Sequence, residues 1–335
     1  MSAKLNHLAA WHHESDRIWT QQIAASLKHY AAPALRTQPK QFRSVGLIFF
    51  NPSLRTRTSM EVAAARLGAH VTTIVPGSGV WGFEWNEGQV MDGKAAEHVH
   101  EAFGVLSRYY DTLGVRVFAS GTDYAKDRED ALLHQVIRAS TVPVISLESA
   151  FYHPCQALAD AATLHQHFDK DVVGKKFVLA WGYHPKALPM AVPNSALLMA
   201  SRLGMQVTVA RPNGFELDPE VISTAAGYAK QHGQELTESD NLDEACKDAD
   251  VIYVKAWGGR LRYQNHRAEQ ELRDRHKDWR LGVQQLGHAA FMHCLPVRRG
   301  VVVDEDVLYA PGAIHLLQAE FRLYAQMAIL ERAWT

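Results

Sequence analysis

Cysteine is scarce in this chain: only Cys155, Cys246 and Cys294 occur in 335 residues, and no C-x-x-C pair is among them. A disulfide framework and a cysteine-rich zinc site are thereby excluded, and free thiols in a reducing cytoplasm are the expectation. Long apolar runs are missing too. Those that occur, such as Val142 to Leu147 and Phe177 to Trp181, are strand-sized, far short of the roughly 20 residues that cross a bilayer. Nor is there an excess of either charge, since 35 Lys+Arg stand against 36 Asp+Glu for a net charge of -1. Without a basic block to neutralise phosphates, nucleic acid is not an expected partner. The opening MSAKLNHLAAWHHESD has no apolar core of a secretory signal. Histidine, by contrast, is abundant at 18, but His12-His13 and His165-Gln166-His167 lack companion ligands at zinc spacing and H-E-x-x-H is absent, so no metal is expected.

What is present is alternation. Strand-like runs at Val45 to Phe50, Val71 to Val75, Leu113 to Phe118, Val142 to Leu147, Phe177 to Trp181, Gln206 to Ala210, Val251 to Lys255 and Ala290 to His293 are separated by helical patterns. Met60, Ala63, Ala64 and Leu67 form one helical stripe, and Leu158, Ala161, Ala162 and His165 another. Continuous apolar strands alternating with helices predict an α/β fold with parallel sheets covered on both faces. At about 150 residues per domain the length suggests two domains. The strands divide four and four, giving two doubly wound domains, each with a central parallel sheet flanked by helices. The expected boundaries are 1–152, with a C-terminal helix at 318–335 returning to the first domain, and 153–317 for the second.

Directly after the first strand comes Asn51-Pro52-Ser53-Leu54-Arg55-Thr56-Arg57-Thr58-Ser59, and then the first amphipathic stripe. A strand end entering a helix N-terminus presents unpaired amides and the positive end of the helix dipole, and these hydroxyls and arginines add donors beyond what a helix cap needs. The spacing therefore predicts an anion site at the carboxyl end of a sheet. A nucleotide-linked oxidoreductase would instead need G-x-G-x-x-G between a strand and a helix. The segment after Phe177 to Trp181 reads Gly182-Tyr183-His184-Pro185-Lys186, too bulky for a pyrophosphate's close approach.

Ser53-x-Arg55-Thr56 followed by Arg57-Thr58-Ser59, then His153-Pro154-Cys155-Gln156 and His293-Cys294-Leu295-Pro296, with Arg116 ending a strand and Glu320-x-Arg322 in the last helix, resembles the aspartate and ornithine carbamoyltransferase family over nearly the whole chain. The resemblance implies transfer of a carbamoyl group from carbamoyl phosphate to an amine through a tetrahedral oxyanion, with no cofactor. It implies that Ser53, the Leu54 amide, Arg55 and Thr56 hold the phosphate, with Arg322 adding a contact. Arg116, His153 and Thr56 would polarise the carbonyl, and Gln156 with the backbone carbonyls of Cys294 and Leu295 would receive the carbamoyl NH2. A non-catalytic binding protein of the same fold would be expected to have lost part of the phosphate triplet or the His-Pro-x-Gln segment, and both are present.

Departures from the pattern bear on the acceptor. Ornithine carbamoyltransferases carry an Asp and a Ser-Met-Gly segment where this chain has Val254-Lys255-Ala256-Trp257-Gly258-Gly259; a lysine there would repel the free α-ammonium of ornithine. The stretches Phe49-Phe50-Asn51-Pro52-Ser53, Val90-Met91-Asp92-Gly93, Trp181 to Pro185, Lys255-x-Trp257 and His293 to Arg299 are most similar to the N-acylornithine carbamoyltransferases of arginine biosynthesis. In that reading Lys255 and Arg298 face the α-carboxylate of the acylated amino acid, with His184 and Glu148 close by. Trp81, on the loop Pro76 to Gly88, would reach a neighbouring subunit's site and bind carbamoyl phosphate there, because that family assembles as trimers with shared active sites. After Met91-Asp92-Gly93 the acetyl type has a Glu and the succinyl type a Pro, and Ala96 stands at this position. Without a carboxylate to repel a succinyl group, N-succinylornithine is favoured over N-acetylornithine. The stretch after His-Cys-Leu-Pro, where some acetyl-type enzymes carry a modifiable lysine, reads Val301-Val302-Val303.

Overall fold

The structure is a computed structural model and describes residues 5–32 and 41–335. The chain divides into two compact units. One comprises Met1–Ser120, Ala125–Cys155 and Arg322–Thr335; the other comprises Gly121–Tyr124 and Gln156–Phe321.

In the first unit, β1 (Ser44–Phe49), β2 (His70–Ile74), β5 (Thr112–Arg116) and β6 (Val144–Glu148) form a parallel sheet in the order β2-β1-β5-β6. Two two-residue strands, β3 (Phe83–Glu84) and β4 (Glu97–His98), pair with each other beside it. Every residue of β5 and β6 is buried, as both-face coverage requires. The fourth strand begins at Val144 rather than at Val142. Pro143 explains the difference, because it has no N–H for the ladder and only its carbonyl is used, by Leu113 N at 3.0 Å. The N-terminal segment extends the sheet edge through Leu8, whose N donates to Val144 O and whose O accepts from Ser146 N, both at 2.9 Å. The C-terminal helix, His315–Ala333, starts three residues before the expected Gln318. From Arg322 onward it packs within this unit, where Glu331 meets His29 at 2.9 Å and Arg332 pairs with Glu14.

The second unit contains five parallel strands, not four: β7 (Lys176–Trp181), β8 (Gln206–Ala210), β9 (Leu236–Ser239), β10 (Val251–Lys255) and β11 (Ala290–Met292), ordered β11-β10-β7-β8-β9. The unanticipated β9 is the edge strand Leu-Thr-Glu-Ser, largely solvated and lacking an apolar run. In both sheets the strand order reverses once. That happens between β1 and β5 in the first unit and between β7 and β10 in the second, and ligands of doubly wound sheets bind at the carboxyl ends of the strands flanking this point.

Candidate active site

The reversal point of the first unit carries the hydroxyl- and arginine-rich loop. Its path is set by Asn51, whose Oδ1 accepts from Phe118 N at 2.8 Å, and by Phe50 N, which donates to Arg116 O at 3.0 Å. The helix Arg55–Arg66 then begins with Ser53 Oγ accepting Thr56 N at 3.2 Å and no acidic residue in the first turn. Thr56 is buried, and its hydroxyl accepts from Arg322 Nη2 at 3.0 Å. An accepting hydroxyl still has its own O–H to direct at an anion. The two arginines of the loop separate here. Arg57 turns to the surface and pairs with Glu61 one turn on, Nε to Oε1 3.0 Å, whereas Arg55 opens the helix itself.

Arg116 closes β5 at a register irregularity and is paired with Glu148 at the end of β6. Glu148 Oε2 lies 3.6 Å from His153 Nε2. All three residues are at most 8% exposed. The Arg116 guanidinium sits over the Phe118 ring at 4.4 Å from its centroid, which fixes its plane. Glu148 has φ of 140°, a conformation costing a non-glycine residue about 1–3 kcal/mol, and its ion pair with Arg116 helps hold it there. The resemblance implies Glu148 for the acyl amino acid; within this unit its carboxylate is engaged with Arg116 and His153.

Sequence reasoning missed Asp130, which supports the turn leading to His153. Its carboxylate accepts Ser149 Oγ at 2.8 Å and Phe151 N at 3.0 Å. Burial pushes this carboxyl from 3.8 up to about 7, against the opposing effect of those hydrogen bonds. Between these values the folded chain holds a proton that the unfolded chain has lost, so stability declines as pH rises from about 4 to about 7, by about 4 kcal/mol at most. Asp130→Asn cannot ionise, and asparagine suits the left-handed backbone at φ 49°. Its stability gain over the native chain in urea denaturation is expected to be larger at pH 8 than at pH 5; equal differences at both would show that Asp130 does not titrate in this window.

In the second unit Trp181, ending β7, pairs in register with Lys255, ending β10. Beyond them His184 Nε2 accepts from Arg298 Nε at 3.0 Å. Burial, and then the charges of Arg298, Lys255 and Arg273, hold His184 below its ordinary value, although a backbone bond with Lys186 opposes them. A neutral imidazole amid cations marks a place suited to an anion. The connecting backbone is tightly seated: a Cβ on Gly259 would stand 2.4 Å from Gly214 O, and Trp257 Nε1 donates to Phe215 O at 2.9 Å.

His293 follows β11. Its ring Nδ1 accepts Leu295 N at 2.8 Å, and its own N donates to Gln318 Oε1 at 2.9 Å. Gln156 is buried, and Nε2 donates to Asp160 Oδ1 at 2.7 Å. Cys155 is fully buried and its thiol is pushed up to about 11, which suits packing rather than attack. Val302, in the stretch after His-Cys-Leu-Pro, is core: its Cγ1 would lie 2.9 Å from a Cβ at Gly182.

Trp81 is 57% exposed, so it does not cover its own unit's core, and its indole N–H donates to Glu97 Oε2 at 2.7 Å. That bond places Trp81 beside the chain next to Ala96, which is exposed.

A cation-lined helix N-terminus with a buried Arg-Glu-His group, at the ends of parallel strands, is suited to an anionic, phosphate-bearing ligand. The chain belongs to the aspartate/ornithine carbamoyltransferase family: residues 8–166 match the carbamoyl-P binding domain and residues 190–333 the Asp/Orn binding domain. It is 43% identical over 293 residues to the N-acetylornithine carbamoyltransferase of Xanthomonas axonopodis pv. citri, covering 86% of this chain and 85% of that one. Identity to the N-succinylornithine carbamoyltransferase of Bacteroides thetaiotaomicron is 35% over 322 residues, covering 93% and 96%. A crystal structure of an N-acetyl-L-ornithine transcarbamylase superimposes with a TM-score of 0.92 at 39% identity, covering 97% of this chain and 99% of that one. In it one glutamate is replaced by alanine, and carbamyl phosphate and N-succinyl-L-norvaline are bound. Among the described residues no helix is long and apolar enough to cross a membrane.

Proposed function

We infer that this chain transfers the carbamoyl group of carbamoyl phosphate to the side-chain amine of an N-acyl-L-ornithine, with N-succinylornithine preferred, giving N-acylcitrulline and phosphate in the cytoplasm. The observation that carries the reading is the convergence of Ser53 and Arg322 on Thr56 at the start of the helix Arg55–Arg66, a site built for a phosphate dianion. In this reading the neutral amine nitrogen attacks the carbonyl carbon, Arg116 and His153 with Thr56 take the charge developing on the carbonyl oxygen, and the bond from that carbon to the phosphate oxygen breaks as the phosphate, carrying off the proton the amine loses, leaves onto Ser53, Leu54, Arg55, Thr56 and Arg322. Gln156 and the carbonyls of Cys294 and Leu295 accept from the carbamoyl NH2. Lys255 and Arg298 face the α-carboxylate, with His184 and Glu148 close by. The exposed Trp81 supports a trimer in which this side chain completes a neighbouring subunit's site.

The acyl choice rests on Ala96. The relative whose glutamate is replaced by alanine binds a succinyl ligand, and Ala96 supplies no carboxylate to repel one. Whole-chain identity favours the acetyl enzymes instead, and this is the second reading. Both are tested by supplying carbamoyl phosphate with ornithine, N-acetylornithine, N-succinylornithine or aspartate and measuring phosphate release and ureido product. Fastest turnover is expected with N-succinylornithine. No turnover with either acylated ornithine removes the proposal, and turnover with N-acetylornithine alone reverses the order. In the same assay Ala96→Glu should lower the succinyl-to-acetyl ratio of kcat/KM about tenfold, the scale of one like-charge encounter with the ligand; an unchanged ratio would remove Ala96 from the pocket.

A further inference from the structure

Asp160 lies one helical turn after Gln156 on the helix Pro154–His167, so the two share a face. Its carboxylate is 1% exposed, a placement tolerated only where hydrogen bonds replace water. Two amides serve it: Gln156 Nε2 and Gln318 Nε2 each donate to Oδ1 at 2.7 Å. The Tyr253 phenol, fully buried beside this group, is held well above its ordinary range by burial and then by the Asp160 charge, and stays neutral.

Asp160 Oδ1 accepts from both amides, which fixes the way round each of them sits. For Gln318 the assignment is confirmed at the other end, where Oε1 accepts His293 N at 2.9 Å; reversing the amide would oppose two donors at one end and two acceptors at the other. For Gln156 the same constraint turns Nε2 inward and makes Oε1 the acceptor end. The path continues from Gln318 to His293 and, through the bond from Leu295 N to His293 Nδ1 at 2.8 Å, into the turn carrying the carbonyls of Cys294 and Leu295.

We propose that Asp160 is a positioning residue that sets the polarity of the carbamoyl NH2 site, orienting the Gln156 amide directly and the Cys294–Leu295 carbonyls through Gln318 and His293. This rests on the function inferred above and adds to it the origin of the enzyme's selectivity for an NH2-bearing acyl phosphate. A site of fixed acceptors rejects an analogue without the donor, because the buried acceptors are left unpaired.

Acetyl phosphate, with a methyl group in place of the NH2, is the probe. Dissociation constants for carbamoyl phosphate, acetyl phosphate and inorganic phosphate are measured on the full-length native chain and on Asp160→Ala, Asp160→Asn and Gln318→Leu. The native chain is expected to prefer carbamoyl over acetyl phosphate. Asp160→Ala should reduce that preference at least tenfold while inorganic phosphate binds within a factor of two of native. Asp160→Asn, which retains Oδ1 as acceptor, should keep most of the preference. Gln318→Leu, which removes the link to His293, should lose about threefold, and it carries the test if Asp160→Ala does not fold. A preference unchanged in Asp160→Ala, or in Gln318→Leu where that variant carries the test, overturns the proposal. So does parallel weakening of all three ligands, which marks a purely structural role. A native chain that binds acetyl and carbamoyl phosphate equally overturns it too, leaving the transferase reading standing; one that binds neither removes both.

Discussion

Arg55→Ala is expected to weaken carbamoyl phosphate binding by about 10- to 150-fold, because a charge-assisted bond to a phosphate contributes about 1.5–3 kcal/mol, while Arg322 on Thr56 and the helix N-terminus remain. The folded chain should not suffer. Arg55 occupies the first helical position, is only partly buried, and alanine is the better helix former. Arg57→Ala provides the contrast, since its guanidinium is committed to Glu61 on the outer face of the same helix, and a change below about threefold is expected for an exposed pair of this kind. Calorimetric titration of both variants with carbamoyl phosphate checks the pair of expectations. Near-native affinity in Arg55→Ala would show that the loop only caps its helix, and equal losses in both would mean that a diffuse field rather than a contact holds the phosphate.

That contrast also marks what could be read from residues alone. Both arginines stand in the same seven-residue stretch, but only the i,i+4 spacing of Arg57 and Glu61 hints that one of them turns away. The strands covered on both faces were legible because burial forces continuous apolar runs, as in Val-Gly-Leu-Ile-Phe of β1. Edge strand β9 was not, since solvent contact leaves Thr237 and Glu238 free to be polar. The three motifs stood out from the sequence, for each combines a special backbone need with a special side chain. What they did not reveal is which side chains touch. Arg116 meets Glu148 across 32 positions, and Gln318 meets Asp160 across 158; such encounters are decided by sheet order and helix docking, which no local pattern encodes. Asp160 was within reach, one turn from Gln156 on a recognised helix. Asp130 had no signal at all, because its partners are main-chain groups and a serine in a turn.

Arg116→Ala is expected to cost both activity and stability, and the two losses can be separated. Arg116 and Glu148 form a buried pair with side chains 9% and 11% exposed. Removing the cation strands a carboxylate with His153 as its nearest cation source at 3.6 Å, a situation that typically destabilises by about 3–5 kcal/mol. The backbone of Glu148, at φ 140°, then loses the contact that offsets its strain. Transfer should slow by about 100- to 1000-fold, the loss seen when one donor to a developing oxyanion is deleted. The double variant Arg116→Ala with Glu148→Gln removes the stranded charge, so most of the lost stability should return in urea denaturation while the transfer rate at saturating substrates stays low. If stability does not recover, the ion pair is not what made the single change costly. If the single variant transfers within about threefold of the native rate, Arg116 does not stabilise the reacting carbonyl, and its place at the end of β5 serves only to neutralise Glu148.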